Sequence, residues 1–299
     1  MGITECANGH IYDTDYYDVC PYCNRNSERS KGTGLLCPFC MAKNEAEAEI
    51  CKVCGRPIKT SNGVHELPVG TLLFNRYYVG KTMRQGGFGI TYVGCDIKLD
   101  KKIAIKEYFP QGMVNRLSSH SCEVVSVDNS KDIFERERVK SINEARILAE
   151  FAGEPNIVSV TDVLSENGTV YIVMEYVEGT DLDEYLRSNP KMSFQEAFLM
   201  IYPVICALQK VHEKGLIHRD ISPSNIKITL NGIPVLLDFG AAREYSTEVE
   251  KSLSVILKPG YAPPEQFSSH GKQGPFTDVY AISATIYYMI TGIDRKSVV

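Results

Sequence analysis

Cys37-Pro-Phe-Cys40 and Cys51-Lys-Val-Cys54 are two Cys-x-x-Cys turns separated by ten residues. Each turn aims two sulfurs at one centre, and two turns supply the four thiolates that structural zinc takes as a tetrahedron. Gly55 follows the second turn, where a knuckle needs a tight backbone. Upstream, Cys20-Pro-Tyr-Cys23 is a further knuckle, and Cys6 with His10 offers the other half of a site of three cysteines and one histidine. His10 beside Asn8-Gly9 also reads as an ordinary surface histidine. Closed four-ligand sites leave no open position for a substrate, so both sets imply structure rather than catalysis. A disulfide-stapled minidomain would need an oxidising compartment. Met1–Cys6 lacks the basic-then-apolar stretch of a secretory signal, and a redox Cys-x-x-Cys needs a strand–helix context missing here.

A different chemistry is spread over the rest of the chain. Gln85-Gly86-Gly87-Phe88-Gly89 is a glycine turn between apolar stretches, and such a turn lets backbone N–H groups approach a phosphate. Ile103-Ala104-Ile105-Lys106 ends an apolar strand on a lysine. His218-Arg219-Asp220-Ile221-Ser222-Pro223-Ser224-Asn225 sets an acid and an amide five residues apart on a loop. Val235-Leu236-Leu237-Asp238-Phe239-Gly240 sets an acid at the end of a buried-looking strand. Acid and amide oxygens, a lysine and a glycine turn are the parts that hold Mg²⁺ and a triphosphate.

These groups need elements to position them. A helix is expected over Ser193–Glu213, opened by a Ser193/Glu196 capping box, with an apolar stripe at Phe194, Ala197, Phe198, Ile201, Ile205, Leu208 and Val211. Helical patterns also run over Phe134–Leu148 and Thr277–Ile290. Strand texture begins near Tyr77. Residues 24–34 and 59–70 read as linkers. The two cysteine modules, 1–26 and 35–58, are too short to bury a core, so metal would supply their folding energy. Of 10 cysteines, seven lie in the first 54 of 299 residues, and Cys95, Cys122 and Cys206 need no common role. With 43% hydrophobic and 23% charged residues, the chain is not a disordered or low-complexity one. A net charge of −5 gives no global basic field for nucleic acid. No apolar run approaches the ~18 residues of a membrane span.

Residues 75–293 resemble a protein kinase of the eukaryotic-like Ser/Thr type found in bacteria. The resemblance implies an α+β bilobal fold, a β-rich N-lobe and a helical C-lobe with ATP between them, preceded by the two zinc-ribbon-like modules. It matches Lys106 to the lysine on the α- and β-phosphates and Glu144, or Glu137, to its glutamate partner. It matches Asp220 to the catalytic base, and Asn225 and Asp238 to the Mg²⁺ ligands. Glu175 and Val177 fall at the adenine-binding hinge, Asp181 at the ribose, and Ala104 on the adenine pocket. Gly86, Gly87, Gly89 and Thr91 fall on the glycine loop. The implied reaction is transfer from ATP to Ser or Thr hydroxyls of proteins.

The chain departs from the family pattern at several positions. Arg84 stands for the first loop glycine and Thr91 for a valine. Ser222 stands where the family carries a lysine, and Lys258 where it carries a threonine seven residues before Glu265. The lysine and the hydroxyl therefore read as exchanged, with Lys258 reaching back to Ser222; a solvated Lys258 with reduced activity is the alternative. The C-lobe reads as lacking its last helices, which would leave Glu265 without its family arginine partner. Residues 294–299 read as an artificial tail. Ser246, Thr247, Ser252 and Ser254 fall on the activation loop by position and are candidate phosphosites, with Arg219 able to pair with an added phosphate; ordinary loop hydroxyls are the alternative. Retention of Lys106, Asp220, Asn225 and Asp238 favours an enzyme; Ser222, Arg84 and the missing last helices favour a pseudokinase scaffold. The ribbons would recognise or tether a partner protein, and the segment present would be cytoplasmic.

Overall fold

A computed structural model describes residues 3–5, 11–14, 16–21, 35–118, 121–127, 130–189, 191–239, 243–244, 258–268 and 271–293. Cys6, His10, Cys23, the four candidate phosphosites and the tail at 294–299 lie outside them. Their order begins with β1 (Ile3–Glu5), β2 (Ile11–Asp13), β3 (Leu35–Leu36), β4 (Lys43–Asn44), β5 (Leu72–Leu73), β6 (Tyr77–Gly86), β7 (Gly89–Asp96) and β8 (Lys101–Tyr108). It continues with β9 (Val114–Arg116), β10 (Val124–Ser126), α1 (Lys131–Ala149), β11 (Val160–Glu166), β12 (Thr169–Glu175), β13 (Gly179–Asp181), α2 (Leu182–Ser188) and α3 (Phe194–Glu213). It ends with β14 (Leu216–Ile217), β15 (Ile226–Thr229), β16 (Pro234–Leu236), β17 (Arg243–Glu244) and α4 (Pro275–Thr291). This is the α+β, kinase-like fold expected, a β-rich part followed by a helical one. Two compact units divide the chain, one of Met1–Ile142 with Thr161–Tyr176, the other of Asn143–Val160 with Val177–Val299.

In the first unit a six-stranded sheet runs in the order β11-β12-β8-β7-β6-β5. The first half of β6 and nearly all of β7 are buried on both faces. Side chains alternate across a strand, so Tyr77, Val79, Tyr92, Ile105 and Val173 enter one core with Phe134 of α1. Tyr78 and Val93 face the other way and pack on Leu36 and Met41 of the four-cysteine module. The cysteine-rich head is therefore part of the sheet's packing. Tyr16 donates its hydroxyl to the Ile58 carbonyl at 2.6 Å, and Tyr12, Tyr17 and Cys20 form a small buried cluster.

The 59–70 segment differs from the linker its composition suggested. Leu67 is fully buried in the main core, and its N–H donates to the Tyr92 hydroxyl at 2.9 Å. One apolar side chain with a core partner outweighs the surrounding turn residues, and composition does not register that.

The second unit is built around α3. Its capping box forms as expected, with Glu196 N donating to Ser193 Oγ at 3.2 Å and Ser193 N to Glu196 Oε2 at 2.8 Å. Ala197, Ile201, Val204, Leu208 and Val211 are buried. Phe194 and Phe198 are not in that core. They stack outward, 5.8 Å between ring centroids, with Tyr202 next at 5.6 Å. α4 ends on Gly292 at φ 67°, a left-handed cap suited to glycine. Among the described residues, no helix is long and apolar enough to cross a membrane.

Candidate active site and four-cysteine centre

The loop after β14 is held from beneath by one buried acid. Asp278, in the first turn of α4, accepts the N–H groups of His218 and Arg219, each at 2.8 Å, and meets His212 Nε2 at 2.8 Å. A carboxylate with no exposure is stable there only because these donors replace its water. The His218 ring bridges the loop to the strand side. Its Nε2 meets the Leu237 carbonyl at 2.9 Å, while Nδ1 accepts from Asp220 N at 3.3 Å. Burial holds the imidazole below its ordinary pKa, against the pull of Asp278, which suits the neutral tautomer that these contacts require. Gln266 Nε2 adds a bond to the Arg219 carbonyl at 2.9 Å.

On this frame Asn225 donates Nδ2 to the Asp220 carbonyl at 2.7 Å and to its Oδ2 at 2.9 Å. Leu237 N donates to the Asn225 carbonyl at 2.8 Å, which ties Asp238 to the same loop. Arg219 and Asp238 both adopt positive φ, 68° and 61°. Such strain costs roughly 1–3 kcal/mol per non-glycine residue and collects at functional sites.

Lys258 lies against this loop. Its Nζ is 2.9 Å from Ser222 Oγ, 3.0 Å from Ser224 Oγ and 3.4 Å from Asp220 Oδ1. The exchange inferred between positions 222 and 258 thus corresponds to a direct contact, and Ser224 joins it without having been singled out. Asp181, expected at a ribose, is the N-cap residue of α2 and lies 3.2 Å from Lys227 Nζ. Glu265 accepts the Thr277 hydroxyl at 2.9 Å.

In the first unit, Gly86 and Gly89 pair to close the β6–β7 hairpin. Gly89 is required by crowding, since a Cβ there would lie 2.1 Å from the Glu107 carbonyl. Gly87 accepts from Gln111 N at 3.1 Å. Lys106 is buried on β8, opposite Thr91 on β7 and Ile172 on β12. Ala104 sits opposite Val93 and Met174. Glu175 ends β12 with its carboxylate 3.3 Å from Lys101 Nζ, and Val177 follows it by two residues. Glu137 pairs with Lys140 at 3.3 Å on its own helix, whereas Glu144, buried on α1, falls in the second unit. Beside Lys106, Glu107 and Arg116 form a fully buried ion pair, with Tyr92 donating to Glu107 at 2.8 Å. Asp278, Gln266 and this ion pair carried no isolated motif, and His218 stands in the quoted loop motif without a role of its own in it.

The four sulfurs of Cys37, Cys40, Cys51 and Cys54 lie within 4.8 Å of one another, with Cys37–Cys54 and Cys40–Cys51 at 3.6 Å. Zn–S bonds of about 2.3 Å place tetrahedral sulfurs about 3.8 Å apart, so the set fits zinc. Each knuckle ends in the left-handed region, at Met41 (φ 61°) and Gly55 (φ 69°). Without metal the thiols are uneven. Burial pushes Cys37 up to about 12. Burial also raises Cys51, but N–H groups of Cys54 and Val53 and the neighbouring thiols bring it down to about 6.

The model of the protein kinase domain matches residues 77–295. The chain belongs to the protein kinase family. This kinase is 30% identical over 225 residues to the serine/threonine-protein kinase PrkC of Bacillus subtilis, covering 75% of this chain and 32% of that protein. It is 31% identical over 230 residues to serine/threonine-protein kinase F of Synechocystis, covering 74% and 45%. A solved structure titled "PpkA-294 apo form" is 35% identical at a TM-score of 0.61, with 76% of this chain and 79% of that one covered. The kinase chain thus spans less than half the length of these two curated relatives.

Proposed function

We propose that this kinase transfers the γ-phosphoryl group of ATP to Ser or Thr hydroxyls of protein substrates. The observation that carries the reading is Lys258 seated on Ser222, Ser224 and Asp220. It supplies a cation to a catalytic loop that has lost the family's own. Asp220 would accept the substrate hydroxyl proton, held in place by Asn225. Lys106 would meet the α- and β-phosphates, with Glu144 as its partner. Gly86, Gly87, Gly89 and Thr91 would cover the phosphates, Ala104, Glu175 and Val177 would meet adenine, and Asp181 the ribose.

The amide oxygen of Asn225 and the carboxylate of Asp238 are the hard donors that Mg²⁺ takes, and bound Mg²⁺ would neutralise the phosphate charge. Lys258 would hold the transferring phosphate, which needs positioning and charge more than covalent help. The scaffold alternative draws on Ser222, Arg84 and the missing last helices; the contact of Lys258 with Ser222 and Asp220 favours the enzyme. Asp238→Asn is expected to abolish Mg²⁺-dependent transfer to a generic basic protein while the melting temperature stays put; unchanged turnover would refute the assignment.

The set Cys37, Cys40, Cys51 and Cys54 would bind structural zinc, and spacing extends the same reading to Cys6, His10, Cys20 and Cys23. Metal analysis of the purified chain should give two zinc ions, falling to one in Cys54→Ser. A wild-type value of one would remove the upstream site. The module's contacts with the sheet favour a structural role over a free tether.

A further inference from the structure

β5 is too short to cover β6. It pairs only with Tyr77 and Tyr78, and Thr71 extends the cover to Val79 N at 2.8 Å. β6 runs on to Gly86 at the glycine turn. An uncovered strand edge exposes backbone donors and acceptors, yet here the next groups are taken by other segments. Lys81 N donates to the Pro38 carbonyl, inside the first zinc knuckle, at 2.8 Å. Asn62 donates Nδ2 to the Gly80 carbonyl at 3.0 Å and accepts from Thr82 N at 3.3 Å.

Gly80 is the point of closest approach. A Cβ there would lie 2.4 Å from both the Pro38 carbonyl and Met41 Cε. Met41 is itself fixed by its left-handed backbone and buried among Leu36, Leu72, Tyr78, Val93 and Cys95. The β6–β7 register shifts between Val79 and Thr82 and again between Thr82 and Arg84. The irregular stretch of β6, four residues before Gly86, is therefore held on its outer side by the knuckle and by Asn62.

We propose that the four-cysteine metal site is a positioning element for nucleotide binding, fixing the bulged part of β6 and through it the glycine turn. The inference rests on the kinase and zinc readings above. Zinc folds the knuckle; the knuckle presents the Pro38 carbonyl and Met41; these set where Gly86–Gly89 lie. Metal would thus act on ATP affinity rather than on the chemical step.

The test uses the whole chain and a non-hydrolysable ATP analogue with Mg²⁺. Met41→Asp removes the docking contact and no ligand, and Asn62→Ala is a milder variant that removes both side-chain bonds to β6. Both are expected to keep their zinc, lose hydrogen-exchange protection at Lys81 and Thr82, and weaken analogue binding roughly tenfold. Turnover at saturating ATP should change less than twofold. Cys54→Ser should lose zinc and reproduce the weaker binding. Lost protection with unchanged analogue affinity would overturn the proposal. A wild-type chain that holds no zinc would instead sink the metal reading, and the metal dependence with it. Failure of all transfer activity with normal analogue binding would count against the kinase reading alone.

Discussion

Lys258→Met is expected to lower phosphorylation at saturating ATP roughly 100- to 1,000-fold, the cost of removing one preorganised charge from a transition state, about 3–4 kcal/mol. KM for ATP should move much less, because the charge matters most where negative charge develops. Lys258→Arg should recover only part, since a planar fork does not replace a point charge held by two serine hydroxyls. The decisive variant is the reciprocal exchange Ser222→Lys with Lys258→Thr. It returns the cation to the catalytic loop and a hydroxyl to the opposing segment, and it should restore the rate to within about tenfold of wild type. A merely structural lysine would not be rescued by moving its charge across the contact. Loss no greater than in a Lys191→Met surface control would sink the role given to Lys258.

Asp278→Ala is expected to be the most destabilising single change, by roughly 3–5 kcal/mol. It leaves the N–H groups of His218 and Arg219 without their acceptor in a buried site. Each buried unsatisfied group costs about 1–3 kcal/mol. Asp278→Asn keeps one acceptor but turns an amide N–H₂ towards donors, so it should recover less than half of the loss. Chemical denaturation of both variants checks this; a loss under about 1 kcal/mol for Asp278→Ala would mean that the loop is not held from below.

The parts of this molecule that sequence makes visible are the local ones. Two Cys-x-x-Cys turns carry their geometry in four residues each, and the α3 capping box carries its own in another four. Asp220, Asn225 and Asp238 stand in short motifs that resemble a family. What spacing hides is long-range. Asp278 meets residues about sixty positions away, and although His218 and Arg219 stand in a short motif, nothing in the sequence marks Asp278 as their acceptor. Leu67 reads as part of a linker because its neighbours are turn formers, and only its Tyr92 partner places it in the core. Met41 adopts a glycine-like backbone with no glycine to announce it. Lys258 and Ser222 are visible as an exchange only because each departs from an expected residue; Ser224, which departs from nothing, is not.

The most direct test of phosphoryl transfer is a single-turnover reaction of the wild-type chain with γ-labelled ATP, Mg²⁺ and a protein acceptor, read as phosphoserine and phosphothreonine. Transfer that depends on Mg²⁺ and disappears in Asp220→Asn, with analogue binding intact in that variant, is the result predicted. Labelled acceptor formed at the same rate by Asp220→Asn, or none formed by a wild-type chain that binds the nucleotide, would contradict it.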